Sequence, residues 1–152
     1  PNSLGLIWEE IEQKAFSHGR KVILLIDDEM RKMEDLLFPL MTDFYIIFSP
    51  NAKDALTKIN ATDNISLVII DMQIGSAGLW TPEDTDNFKT TGIKLCHEIL
   101  KKFPKIKIGI LTGTRYKINS YNDLPLAFFL KKPIDPEEFE RMIRDIIKER
   151  NI

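Results

Sequence analysis

The side chains in this sequence best suited to chemistry sit just past the ends of its apolar runs. Asp27 and Asp28 follow the run 22–26, Asp71 follows 67–70, Thr112 follows 106–111, and Lys132, itself followed by Pro133, comes after 126–130. If those runs are neighbouring parallel strands, all of these side chains converge on one crevice, because the open edge of such a sheet collects the residues at the carboxyl ends of its strands. Three carboxylates brought together repel one another by about 4 kcal/mol per pair at 4 Å and an effective dielectric near 20, so they call for a cation or a proton. Hard oxygen donors with no sulfur or imidazole among them select Mg²⁺, or Mn²⁺ in its place, and such an ion keeps room for a phosphate oxygen. Lys132 adds a point charge and Thr112 a hydroxyl donor for the other oxygens of a phosphoryl group. The set describes a phosphoryl-transfer site with an aspartate nucleophile.

The elements that must position this site are legible in the hydrophobic pattern. The runs 22–26, 44–48, 67–70, 106–111 and 126–130 are apolar on both alternating faces, as strands buried between two helical layers are. Helical spacing fills the gaps: 29–41 with Met33, Leu36, Leu37 and Leu40, 52–59 with Ala55, Leu56 and Ile59, and 92–103 with Ile93, Cys96, Ile99, Leu100 and Phe103. The last helix is signposted by Asp135 as a cap, Pro136 at the first helical position and Glu138 completing a capping box, ahead of Phe139, Met142, Ile143, Ile146 and Ile147. Strand and helix alternating in this way predict an α/β fold, a doubly wound five-stranded parallel sheet. Two additions stand outside the alternation. An amphipathic helix is expected over 3–16, carrying Leu4, Ile7, Trp8, Ile11 and Ala15, and a long polar loop over 74–91 follows the third strand. The segment 115–125, rich in Asn, Ser and Asp, predicts a short or irregular helix at most.

Composition narrows the function. At 152 residues with 43% hydrophobic and 29% charged, the chain has the size and balance of one globular domain. A formal charge of −2 gives no electrostatic case for direct nucleic-acid binding or for an anionic membrane. No apolar run approaches the ~20 residues of a membrane span, and no signal-peptide core opens the chain, so a cytoplasmic location is expected. The single cysteine, Cys96, excludes an internal disulfide and falls on the apolar side of its helix, where packing explains it. His18 and His97 have no companion ligands and are read as surface or capping residues. The acidic loop residues Glu83, Asp84 and Asp86 lack the glycine and distal glutamate of a calcium loop and are read as solvated.

The motifs ILLIDDE, LVIIDMQ, ILTGT and FFLKKP, in this order at successive strand ends, resemble those of the response regulator receiver domains of two-component signalling. The resemblance runs over residues 21–147 and divides the chain into an extra N-terminal helix, 1–20, and a receiver domain, 21–152. It implies a flavodoxin-like sheet of strand order 2-1-3-4-5. It also implies that Asp71 accepts a phosphoryl group from a histidine kinase or a histidine phosphotransfer protein, and that Mg²⁺ is held by Asp28, Asp71 and the main-chain carbonyl of Gln73, with Asp27 acting mostly through water. Thr112 and Phe129 are then the switch pair, Lys132 the phosphate-binding lysine and Lys131 a surface residue, while Gln73 and Thr114 flank the path of the attacking water. Such a protein is no enzyme toward an external metabolite: it catalyses its own phosphorylation and dephosphorylation and signals by contact with a downstream protein effector, and it admits a homodimer. The loop over 74–91 is longer than the family's usual one, and Leu79, Trp80 and Pro82 are expected to form an apolar patch that shields the site or docks a partner. An aspartate-nucleophile phosphatase of the haloacid dehalogenase type is disfavoured, because its second aspartate position holds Gln73. The alternative function is a phosphorylation-independent interaction or dimerisation module of the same fold.

Overall fold

The computed structural model describes residues 20–85, 90–113 and 124–148. The expected N-terminal helix, His18, Asp86, Thr114 and the stretch 115–123 lie outside the described residues. Five parallel strands, β1 (Val22–Ile26), β2 (Tyr45–Ser49), β3 (Ile65–Asp71), β4 (Ile108–Thr112) and β5 (Phe128–Lys131), form one sheet in the order β2-β1-β3-β4-β5. This is the expected flavodoxin-like topology. All five residues of β1 are buried, which is why the sequence is apolar at every position there rather than at alternate ones.

Helices close both faces. Against one face lie α2 (Ala52–Ala61) and α3 (Thr91–Lys102), where Ala55, Ile59, Ile93, Cys96 and Ile99 meet Leu24, Val68 and Ile110. The other face is covered by α1 (Glu34–Leu37) and α4 (Pro136–Lys148), whose Leu37, Phe139, Ile143 and Ile147 meet Ile23, Leu25 and Ile69. Each fully buried Leu, Ile or Phe contributes roughly 1.5–3 kcal/mol toward the entropy cost of ordering. Burial in this apolar setting pushes the Cys96 thiol up to about 12, so it stays protonated and packs as a small hydrophobe.

Local signals start and stop these elements. Asn51 caps α2 by accepting a hydrogen bond from the Asp54 amide at 2.8 Å, and Asp135 does the same for the Glu138 amide at 3.1 Å as α4 begins. The expected helix over 29–41 is instead a composite: 3-10 turns at Met30–Met33 and Phe38–Leu40 flank the single α turn of α1. Pro39 explains the break, since it has no N–H to donate and its ring crowds the preceding turn. The apolar set Met33, Leu36, Leu37 and Leu40 is buried as the pattern required. Arg144 on α4 ties this segment down, donating to Asp43 at 2.7 Å and to the Pro39 carbonyl at 3.0 Å.

Two glycines let backbone and ring approach closely. A methyl group on Gly109 of β4 would lie 2.0 Å from the Phe128 ring, which in turn meets Phe139 edge-on with centroids 6.2 Å apart. Gly92, in the first turn of α3, donates its N–H to the Met72 carbonyl at 2.9 Å. A Cβ there would come within 2.7 Å of the Met72 Cα and 2.9 Å of the Asp71 carbonyl oxygen, both backbone atoms that cannot swing aside. Gly92→Ala is therefore expected to destabilise the chain by about 1–3 kcal/mol, the range of overpacking strain, read as a lower urea midpoint at unchanged slope.

Candidate functional site

β1 and β3 are adjacent and parallel, with Ile26 opposite Ile70, so the residues that follow them emerge at the same edge. There Asp27, Asp28 and Asp71 each present a carboxylate oxygen within 4.8 Å of the other two. Asp27 is 1% exposed, Asp71 is half-buried and Asp28 is exposed. The two ends of the Asp27 carboxylate have different surroundings. Oδ1 accepts a hydrogen bond from the Glu29 amide at 2.8 Å. Oδ2 lies 3.5 Å from Lys132 Nζ, within ion-pair reach, yet accepts no hydrogen bond among the described residues. Asp71 Oδ1 accepts from the Gln73 amide at 3.3 Å.

Lys132 reaches the crevice because its own backbone is held. Its N–H donates to the Thr112 carbonyl at 2.8 Å, which extends the β4–β5 pairing one residue past the strand, and the Lys132–Pro133 peptide is cis. Lys131 is exposed, in keeping with its surface assignment. Thr112 is buried at the end of β4. Phe129, half-buried against the α2–α3 core, pairs with Ile110, two residues before Thr112 on the neighbouring strand and so on the same sheet face. The structure thus brings the three aspartates and Lys132 together and sets Thr112 and Phe129 on adjoining strands beside them.

The electrostatics of the crevice favour a cation. Burial pushes the Asp27 carboxyl above the usual carboxylate range, the neighbouring Asp71 and Asp28 charges push it further, and the Glu29 amide and Lys132 only partly oppose this. The Asp71 carboxyl is raised as well, by burial first and by the Asp28 and Glu29 charges, against the pull of Lys132 and the Gln73 amide. A buried carboxylate oxygen without a hydrogen bond, facing two further carboxylates, fits an oxygen-ligated divalent ion. Glu29 is the contributor to which sequence reasoning assigned no role: its amide orients Asp27 and its charge bears on Asp71. Its adjacency to the aspartate pair was the available signal.

The loop after β3 behaves differently from the patch expected of it. Trp80 is half-buried against the α2–α3 core, with Lys94 Nζ 5.4 Å from its ring centre, so the indole is tied to α3. Leu79 and Pro82 are exposed. Asp84 is solvent-exposed as expected, but it also caps a 3-10 turn at Glu83–Thr85, where the Thr81 amide donates to its carboxylate at 3.2 Å and its own amide donates to the Thr81 hydroxyl. Hydrogen bonding from the Thr81 amide, and then from the Thr81 side chain, holds its carboxyl below the usual range. His97 is exposed on α3, as read from sequence.

The fold is that of response regulator receiver domains, many solved examples of which superpose on most of the chain. One from Clostridium thermocellum matches with a TM-score of 0.65 at 22% identity, covering 86% of this chain and 96% of its own. A CheY-like receiver domain protein from Methanospirillum hungatei JF-1 matches with a TM-score of 0.66 at 20% identity, covering 86% and 95%. The response regulator TrrA of Thermotoga maritima, solved in complex with Mg²⁺-BeF, matches with a TM-score of 0.61 at 26% identity, covering 83% and 98%. No family model and no curated protein matches the sequence. Among the described residues no helix is long and apolar enough to cross a membrane.

The raised carboxyl values carry a sign. A carboxyl that holds its proton more tightly in the folded than in the unfolded chain is least costly below the ordinary carboxylate range, and stability falls as pH rises through the raised folded value. Asp27→Asn keeps the acceptor for the Glu29 amide and removes the charge. Without divalent ions it is expected to raise stability at neutral pH by about 0.5–2 kcal/mol and to flatten the decline above the ordinary carboxylate range, measured by urea denaturation at each pH.

Proposed function

We propose that this chain is a phosphorylation-dependent signalling switch in which Asp71 accepts a phosphoryl group from the phosphohistidine of a histidine kinase or phosphotransfer protein. The observation that carries this reading is the convergence of three carboxylates within 4.8 Å at the carboxyl edge of the sheet, with Lys132 3.5 Å from one of them. The receiver domain occupies residues 21–152 in this reading, residues 1–20 being an addition to it.

Asp28, Asp71 and the Gln73 carbonyl would hold Mg²⁺, with Asp27 oriented toward it by the Glu29 amide. The ion, when bound, supplies positive charge that offsets the carboxylates and the phosphoryl oxygens. An Asp71 carboxylate oxygen attacks phosphorus. As the new P–O bond forms, the P–N bond to the donor imidazole breaks and the imidazole leaves with that electron pair. Lys132 offers its ammonium and Thr112 its hydroxyl to the phosphoryl oxygens, a contribution made chiefly through charge and positioning, as in other phosphoryl transfers. Movement of the Thr112 hydroxyl toward the new phosphoryl group opens space into which the Phe129 ring turns, and that change on β4 and β5 is what a protein effector reads. Hydrolysis of the aspartyl phosphate resets the switch, so the chain acts on itself and turns over no external metabolite.

Treatment with a small phosphodonor and Mg²⁺ is expected to add one phosphoryl mass, acid-stable and base-labile, that Asp71→Asn abolishes and Lys132→Ala strongly reduces. Intact-mass spectrometry reads both. Full labelling of the Asp71→Asn chain, or none of the unaltered one, overturns the assignment. Calorimetric titration with Mg²⁺ addresses the ligand set: Asp28→Asn is expected to weaken binding by at least tenfold and Asp27→Asn by less, and equal losses contradict the ranking.

A further inference from the structure

At the end of the sheet opposite the carboxylates, an open groove of about 460 Å³ runs between the C-terminal ends of α2 and α3. Ile59, Ile65, Phe103 and Ile106 supply its apolar wall, and the exposed Lys102 and Lys105 line it against one carboxylate, Asp63. Phe103 and Ile106 are only half-buried although they pack on the core, so the groove leaves apolar surface uncovered. Its position relative to the chain's own course is informative. Val22, the first residue of β1, pairs with Ile65, which forms part of the groove wall, so the segment before β1 leaves the sheet beside the groove.

That segment has the chemistry to fill it. Leu4, Ile7, Trp8, Ile11 and Ala15 recur at helical spacing and form one apolar stripe, flanked on either side by Glu10 and Glu12. The six residue-to-residue steps from Phe16 to Val22 can span up to about 20 Å, enough to turn the segment back across the sheet end. We propose that the groove is the seat of the chain's own N-terminal segment, residues 3–16, bound as an amphipathic helix with Leu4, Ile7, Trp8 and Ile11 against Ile59, Ile65, Phe103 and Ile106. Glu10 and Glu12 then meet Lys102 and Lys105. The segment covers the end of the sheet remote from Asp71 and leaves the carboxylate crevice open.

Amide NMR on the full chain tests this. In Ile7→Glu/Ile11→Glu, shift changes are expected to cluster at Ile59, Ile65, Phe103 and Ile106 and to spare Asp27 and Asp71, while hydrogen exchange at Phe103 and Ile106 quickens by roughly tenfold. A surface-only pair guards against a double variant that does not fold. Glu10→Lys/Glu12→Lys is expected to give the same pattern in weaker form, and adding Lys102→Glu/Lys105→Glu to that chain to restore the original spectrum. Changes located elsewhere, no rescue by the charge exchange, or groove signals that disappear on dilution, which assign the seat to a second copy, each overturn the proposal.

Discussion

Carboxylate repulsion at the end of a parallel sheet is the constraint to which the rest of this structure answers. β1 and β3 are neighbours running in one direction, so Asp27 and Asp71 arrive at the same edge with no freedom to separate. Asp27 is nearly inaccessible to water and keeps one oxygen without a hydrogen bond among the described residues. Such a group destabilises the folded chain unless a positive charge joins it, and one lysine at 3.5 Å offsets only part of the cost. The scaffold tolerates this because the strands beneath are buried on both faces and the helices on either side are locked by apolar contact. Strain confined to one edge of a stiff core becomes a preference for cations there, and it is relieved locally rather than by opening the sheet.

The same rigidity explains what the sequence made legible. A strand buried on both faces must be apolar at every position, so β1 could be read to the residue from composition alone. The site followed from topology, because each of its members ends an apolar run, and parallel strands bring such ends together whatever the loops do. Harder to read were places where an apolar residue serves something other than the sheet. Ile106 and Leu126 begin their runs, but the Ile106 amide closes a turn onto the Phe103 carbonyl and the Leu126 amide one onto Leu124, so β4 and β5 start later, at Ile108 and Phe128. Helical spacing over 29–41 identified the buried residues and missed the 3-10 geometry, since a 3-10 turn and an α turn bury nearly the same set and only Pro39 tells them apart.

The loop after β3 shows the limit of reading exposure from composition. Its polar sequence with one tryptophan suggested a patch beside Asp71, yet the indole is spent on the α2–α3 core and on Lys94. The described part of the loop is fastened along its length. Asn51 and Gly75 form a parallel bridge, and the Ala52 amide donates to the Gly75 carbonyl at 3.0 Å. The Ser76 hydroxyl donates to the Trp80 carbonyl at 3.0 Å and accepts from its amide, closing a turn that places Ala77 and Gly78 at φ of 56° and 84°. A left-handed alanine costs about 1 kcal/mol, and a turn that holds one is over-determined by its surroundings.

Those fastenings decide what kind of element the loop can be. A lid needs few contacts in its open state, so that closure over the site is not opposed by bonds it must first break. Residues 75–85 instead make hydrogen bonds to α2, to each other and, through Trp80, apolar contact with the core beneath α3. Their larger apolar side chains left at the surface are Leu79 and Pro82, held on a fixed backbone. A fixed rim presents one shape to whatever approaches it and leaves the chemistry of the crevice to the groups that line it. In this chain those groups are the aspartates, Thr112 and Lys132, all carried by the ends of strands.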